Sequence, residues 1–299
     1  MAFSAAVLSV QGATLFGWFD AAGARQIAAT GSLSGALIGG VMFGAGMILA
    51  RGCASRLLVL SATGNLRAFV TGLLLTLVAQ ASLRGVLAPP REALAGLWTV
   101  PGGAGRDVLA YLGISHEVAA AAFGTALLLA VGFASLRRVA ATRWLAAIVV
   151  GVAVGLGWVL TYLVAQTSFE VVPVSSVTFT GPSTDTLMGL VNATELPLGF
   201  GVGLVPGVFL GAALMAILTR EFRIERFGPD TPMERYLIGA CLMGFGAMLA
   251  GGCAVGAGMS GGAVFSLTAW LAVFSMWVGA MVTHRLLTMD RSQAAAGTL

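Results

Sequence analysis

The chain has 299 residues, of which 58% are hydrophobic and only 9% are charged. Soluble domains carry about 25% charged residues, so this composition excludes a soluble protein and predicts a chain embedded in a lipid bilayer. The net charge is +4, and every basic residue is an arginine. Most of these arginines lie at the ends of apolar segments, which indicates membrane orientation rather than nucleic-acid binding.

Apolar segments of membrane-spanning length recur along the chain. The first 19 residues are apolar and could form a short or partial span. The predicted spans cover residues 32–50, 66–88, 116–136, 144–165, 196–219, 234–250 and 263–284. Between them, Pro89 and Pro90 open a predicted loop over 89–115, with a surface helix possible near 105–112. The more polar residues 166–195 predict an outer loop with a short re-entrant piece, and Ser175–Thr186 could line a vestibule there.

The arginines also predict the orientation of the spans. If residues 32–50 run from outside to inside, only four arginines fall outside, namely Arg25, Arg84, Arg91 and Arg106. The other twelve then lie on or near the cytoplasmic side. By the positive-inside rule, we expect a multi-pass protein of the bacterial inner (cell) membrane with its C-terminus in the cytoplasm.

A repeat at an offset of 200 residues is the most informative pattern. Ile38–Ala54 reads IGGVMFGAGMILARGCA and Ile238–Ala254 reads IGACLMGFGAMLAGGCA, with nine of 17 positions identical. The matched cysteine carries weight because the chain has only three. Five predicted crossings separate the starts of the two copies, and an odd number places the copies in opposite orientations. Inverted repeats with broken helices are typical of transporters, whose substrate site lies near the midplane at the breaks.

These patterns together predict the fold class. We expect an all-α integral membrane protein, built as a pseudo-symmetric inverted-repeat helical bundle with broken or re-entrant helices. The whole chain, 1–299, is predicted to form a single transmembrane domain. Its inverted repeat motifs are predicted at 38–66 and 238–262.

The two breaks resemble the paired motifs of the YeeE/YedE family, sulfur-transport proteins that take up thiosulfate. The residues that carry the resemblance are Gly44–Ser55, Gly64–Leu66, Gly244–Gly256 and Ser260–Gly261. The resemblance implies a permease for thiosulfate or a similar small sulfur anion, with the paired cysteines Cys53 and Cys253 at the centre of the bundle. The first copy departs from the usual Gly-Gly-Cys of the family by carrying Arg51, and no cysteine precedes Cys53.

A divalent sulfur anion crossing a bilayer needs partners that bind it weakly, because a fixed charge at the centre would hold it too tightly. Protonated thiols and the N–H groups at half-helix N-termini meet this need. The predicted substrate path consists of Cys53, Cys253, Gly52, Gly252, Ser260 and Asn65. Asn65 and Ser260 could equally cap helices, and a buried cysteine in a helix bundle is often only a packing residue. Packing is the expected role of Cys241, which aligns with Val41.

Three functions remain open at this point. The first is an inner-membrane permease importing thiosulfate or a related anion. The second is a membrane sulfur carrier or sulfurtransferase acting through a cysteine persulfide, and the third is a structural membrane subunit. Few His or carboxylate residues lie in the predicted spans and no Walker motif is present, so we expect no metal site, no cofactor and no enzyme activity. The family resemblance implies a cytoplasmic TusA-like sulfur carrier as a possible partner.

Overall fold

Helices dominate the protein in a computed structural model that describes residues 1–192, 199–226 and 233–296. The α-helices of the described residues are α1 (Ala2–Leu15), α2 (Arg25–Ala28), α3 (Leu33–Leu49), α4 (Ala54–Ala62), α5 (Leu66–Arg84), α6 (Ala88–Gly96), α7 (Val108–Leu112), α8 (His116–Leu136), α9 (Ala141–Thr167), α10 (Thr180–Asn192), α11 (Phe200–Leu218), α12 (Met233–Ala250) and α13 (Leu267–Ala296). A π-helix covers Gly256–Gly261. The two short strands β1 (Gly31–Ser32) and β2 (Thr99–Val100) pair antiparallel, with Gly31 opposite Val100.

Seven helical stretches of the described residues are long and apolar enough to cross a membrane. They are Leu33–Ala62, Leu66–Arg84, His116–Leu136, Ala141–Thr167, Phe200–Leu218, Met233–Ala250 and Leu267–Met289. The prediction of an all-α, multi-pass membrane protein is therefore confirmed. The predicted spans correspond to these helices with ends that differ by at most five residues, except that the first stretch continues beyond the predicted 32–50 through α4 to Ala62.

The described chain forms two compact units. The first contains Met1–Ser32, Thr99–Thr178 and Val255–Trp270. Its core is a cluster of apolar side chains around the fully buried Trp158. The short helix α1 packs against α8 and α9, and its buried side chains include Val7 and Val10. The apolar N-terminal segment is thus part of a core, although its 14-residue helix is shorter than a full span.

Arg106 ties together three segments of the first unit. Its guanidinium donates to the carbonyl oxygen of Ala29 and to the hydroxyl of Thr268. Burial, together with the nearby charge of Arg25, lowers the pKa of this guanidinium. Arginine nevertheless stays protonated in proteins, so the group is a fixed cation that links chain segments.

The second unit contains Leu33–Trp98, Phe179–Ala254 and Leu271–Leu299, and its centre is the pair α3 and α12. A Cβ added at Gly39 would lie 2.6 Å from the amide nitrogen of Ala250, and one added at Gly239 would lie 2.8 Å from that of Ala50. The start of each helix therefore meets the end of the other, and the two helices run antiparallel. These helices belong to the two copies of the repeat, and glycine allows their backbones to touch.

One sequence expectation about a connecting segment was wrong. Pro89 and Pro90 do not open a loop but lie in the first turn of α6. A proline is tolerated there because its missing N–H would have had no intrahelical acceptor. The short helix α7 does lie at the predicted surface helix near 105–112.

Candidate functional site

Both copies of the repeat break at the same place and with the same geometry. The N–H of Gly52 donates to the carbonyl oxygen of Met47 at 3.0 Å, and the N–H of Gly252 donates to that of Ala247 at 2.9 Å. Each bond spans five residues and closes the end of a helix in a Schellman motif. This motif places the preceding residue in the left-handed region, where Arg51 has φ 56° and Gly251 has φ 79°. The left-handed residue and the glycine after it thus end α3 and α12, and a cysteine follows directly in each copy.

Cys53 is the residue immediately before α4. Its backbone is extended, with φ −87° and ψ 174°, as is usual for the residue that precedes a helix. Its half-buried side chain places Sγ 3.2 Å from the hydroxyl oxygen of Ser55. The thiol therefore lies at the N-terminal end of α4, where the unpaired backbone N–H groups of the first turn carry partial positive charge.

Cys253 follows the second break and is almost completely buried, with 1% of its surface exposed. Its Sγ accepts a hydrogen bond from the backbone N–H of Phe179 at 3.4 Å. Phe179 directly precedes α10, a helix from a distant part of the chain. The second thiol is thus held against the N-terminal end of α10.

The second copy carries one extra residue after its cysteine. Asn65 is the residue before α5 and Ser266 is the residue before α13, and each forms an isolated bridge. Twelve positions separate Cys53 from Asn65, whereas thirteen separate Cys253 from Ser266. The π-helix Gly256–Gly261 absorbs the extra residue, because a π-turn is a one-residue bulge in an α-helix.

Two side chains of the first unit bond to carbonyl oxygens of the π-helix. The carbonyl of Gly256 accepts from Nε2 of Gln26, and that of Ser260 accepts from the indole N–H of Trp158, each at 3.3 Å. Bulges of this type occur often at functional sites. An asymmetry between the copies therefore begins three residues after Cys253.

The remaining predicted path residues have identified bonding partners. Asn65 caps α5 by accepting from the N–H of Ala68 at 2.9 Å, and its amide nitrogen donates to Glu225. Ser260 is buried in the first unit and donates to the carbonyl oxygen of Val177 at 2.6 Å. Cys53, Cys253, Gly52 and Gly252 all belong to the second unit. A role of any of these residues in substrate passage stays a prediction.

A cavity of about 190 Å³ lies in the second unit. Ala54, the residue after Cys53, contributes to its wall, and so do Ser183 and Thr186 of α10. Most of the other lining residues are apolar side chains of α4, α5 and α11. The cavity is therefore bordered by both α4 and α10, the two helices whose N-terminal ends lie at Cys53 and Cys253.

The part played by α10 could not be deduced from the repeat. Phe179 and Cys253 are 74 residues apart, and α10 lies outside both repeat motifs. The one available signal was the polar composition of Ser175–Thr186, which the sequence suggested as a vestibule lining. In the described residues, no group of three His, Cys, Asp or Glu side chains is placed to hold a metal ion.

Comparisons with known proteins identify the family of this chain and two of its relatives. Residues 1–282 match the family model described as sulphur transport. A thiosulfate transporter named TsuA from Spirochaeta thermophila is 28% identical over 273 residues, covering 85% of this chain and 79% of that protein. A thiosulfate transporter of the same name from Escherichia coli is 36% identical over 100 residues, covering 33% of this chain and 28% of that protein. Both relatives are named as transporters. Because the family model covers residues 1–282, the chain belongs to the sulphur transport family.

Proposed function

We propose that this protein imports thiosulfate, or a closely similar sulfur anion, across the bacterial inner membrane along a path lined by Cys53 and Cys253. The family match over residues 1–282 and the names of both relatives support the substrate class. The observation that carries the residue assignment is the paired break, because both cysteines follow identical helix ends in the two copies of the repeat.

The surroundings of the two thiols suit an anion that must be released again. Cys53 precedes the first turn of α4, and Cys253 contacts the residue before α10. Helix N-termini attract anions through backbone N–H groups without placing a full positive charge in the bilayer. A neutral thiol is a weak hydrogen-bond donor and suits the soft terminal sulfur of thiosulfate.

The packing of the repeat supports the inverted-repeat architecture that many transporters share. The helices α3 and α12 run antiparallel with reciprocal close contacts, as expected for an inverted repeat. The distribution of the arginines supports a cytoplasmic C-terminus. The direction of transport that we propose is inward. A cytoplasmic sulfur carrier of the TusA type would then receive the substrate on the inner side.

The burial of Cys253 argues against the persulfide alternative. A protein acceptor must reach the sulfur that it takes over, and this thiol is 1% exposed. The half-buried Cys53 is the more accessible of the pair. Replacing each cysteine by serine separates hydrogen-bonded passage from sulfur transfer through a persulfide, because serine donates a hydrogen bond but forms no persulfide.

The test is uptake of thiosulfate by cells that lack other routes for it and need it as sole sulfur source. We expect Cys53→Ala and Cys253→Ala each to cut uptake at least about tenfold, because the substrate loses one hydrogen bond. The corresponding serine variants should retain part of the uptake, because a hydroxyl still donates a hydrogen bond. The control is Cys241→Ala, which removes the third, exposed cysteine and leaves uptake unchanged. Full uptake by the Cys53→Ala/Cys253→Ala double variant at equal expression would reject the assignment.

A further inference from the structure

The first turn of α10 carries backbone donors with no acceptor inside the helix. The N–H of Ser183 bonds to the carbonyl of Phe179, so Thr180 and Gly181 are the first two helical residues. Their N–H groups have no intrahelical acceptor, and Pro182 has no N–H at all. No acidic residue lies in this turn to neutralise the positive end of the helix. Such an end favours an anion.

Thr180 provides an independent observation at the same place. Its side chain is 0% exposed, and its hydroxyl has no hydrogen-bond partner among the described residues. Side chains of a helix tilt toward the N-terminus, so this hydroxyl lies at the end that carries the unpaired N–H groups. Buried hydroxyls are nearly always hydrogen-bonded, because an unpaired one is destabilising. The unpaired hydroxyl therefore indicates a bonding group that the chain itself does not supply.

The open space beside this turn lies at Gly181, where an added Cβ would meet no heavy atom within 4 Å. Thr180 itself is fully enclosed, so a ligand reaches its hydroxyl only after the first turn has moved away from its neighbours. On its other side, the N–H of Phe179 contacts Sγ of Cys253 at 3.4 Å. The hydroxyl of Thr180 and the N–H groups of Thr180 and Gly181 thus directly follow the residue that contacts Cys253, whose thiol is assigned to the proposed substrate path.

We propose that the Thr180 hydroxyl and the N–H groups of Thr180 and Gly181 bind the oxygen atoms of a sulfur oxyanion whose terminal sulfur faces Cys253. The proposal rests on the proposed function and adds the residue that recognises the oxygen end of the substrate. A sulfur species without oxygen atoms has no S–O oxygens to accept from these three donors, and sulfur is the weaker acceptor. Thr180 is therefore a specificity-determining residue for sulfur oxyanions.

The proposal predicts opposite effects on stability and on binding, which a packing role does not. Thr180→Val removes an unpaired buried hydroxyl at nearly constant volume, so the substrate-free protein should melt at the same temperature or higher. The same change should weaken thiosulfate binding about tenfold or more, because a hydrogen bond to a charged group is lost. Thr180→Ser keeps the hydroxyl and should bind thiosulfate within about threefold of the wild type.

Thr184 offers a matched control on the same helix. It is also 0% exposed, but its hydroxyl already donates to the carbonyl oxygen of Thr180 at 2.6 Å. Thr184→Val should lower the melting temperature and leave thiosulfate binding unchanged. The measurements are the melting temperature without thiosulfate and calorimetric titration with sodium thiosulfate, on the full chain in detergent, together with uptake into vesicles.

Each outcome decides the proposal. A loss of binding in Thr180→Val with an unchanged or raised melting temperature supports it. Wild-type binding in Thr180→Val, or a lower melting temperature with binding reduced no more than in Thr184→Val, overturns it. If Cys253→Ala abolishes uptake while Thr180→Val does not, the proposed function stands and this inference alone fails. If the folded wild type neither binds nor takes up thiosulfate, both fail.

Discussion

The contact between α3 and α12 makes a quantitative prediction about two glycines. An alanine at Gly39 would place its Cβ 2.6 Å from the nearest backbone atoms of α12, and an alanine at Gly239 would be 2.8 Å from those of α3. Ordinary contact begins at 3.4 Å, so the shortfalls are about 0.8 Å and about 0.6 Å. The neighbouring atoms belong to helix backbones, and the helices themselves must move apart.

Overpacking of this kind costs about 1–3 kcal/mol, partly offset by the ~0.5–1 kcal/mol that alanine gains over glycine inside a helix. We therefore expect Gly39→Ala and Gly239→Ala each to destabilise the protein by about 1–2 kcal/mol. Both clashes act across the same helix pair, so the separation caused by one relieves the other. The double variant should lose less stability than the sum of the single variants.

The assay is thermal unfolding of the full chain in detergent, followed by the loss of the folded peak in size-exclusion chromatography. The matched control is Gly132→Ala in α8, where an added Cβ would meet no atom within 4 Å. That variant should be as stable as the wild type or slightly more stable. Two results would contradict this reasoning: a melting temperature of Gly39→Ala equal to that of Gly132→Ala, or a double variant whose loss of stability equals the sum of the single losses. Either would show that the close approach of α3 and α12 is not what excludes a larger residue at these positions.

Three further predictions concern single residues. Arg51→Gly should stabilise the protein by about 1 kcal/mol in the same assay, because arginine is strained at φ 56°; a lower melting temperature would show that the arginine side chain makes a stabilising contact. Asn65→Ala should destabilise it by about 1 kcal/mol or more through loss of the α5 cap and of the bond to Glu225, whereas Asn65→Ser loses only the bond to Glu225 and should keep the cap; equal losses in both variants would contradict this. In a cysteine-free background, Val171→Cys should react with a membrane-impermeant thiol reagent on intact cells, because Val171 is fully exposed between α9 and α10, whereas Ser176→Cys, at a 4% exposed position, should not. Labelling of Val171→Cys only after lysis would reverse the assigned orientation.

The repeat could be found from the sequence because its signal is local. The Gly-Cys pair at each predicted break is visible in the sequence, and the structure ends a helix at each of them. The glycines at the close helix contacts are visible too, but only the structure shows which backbone each of them meets. The left-handed residue before the Gly-Cys pair was hidden in the first copy, since Arg51 stands where the second copy has a glycine. Only the backbone shows that the two helix ends are the same.

The remaining features depend on contacts that no local pattern encodes. The bond from Phe179 to Cys253 joins residues 74 positions apart, and the unpaired hydroxyl of Thr180 becomes visible only when its neighbours are known. The one-residue bulge in the second copy also escaped notice, because a constant offset of 200 pairs Asn65 with Phe265. In the structure, the residue of the second copy that is equivalent to Asn65 is Ser266, because each directly precedes a long helix and forms an isolated bridge. The single transmembrane domain predicted for 1–299 stays a prediction.

The reciprocal glycine contacts make the interface between α3 and α12 self-complementary. Gly39 meets Ala250 and Gly239 meets Ala50, so each contact has a counterpart with the two copies exchanged. Isologous interfaces of two-fold homodimers obey this rule. Each half of the chain therefore carries both sides of the same surface, and the protein has the pattern of a homodimer fused into one polypeptide. In such an ancestor, one gene would have supplied both thiols of the path, and the bulge after Cys253 would be a departure from symmetry that arose after the fusion.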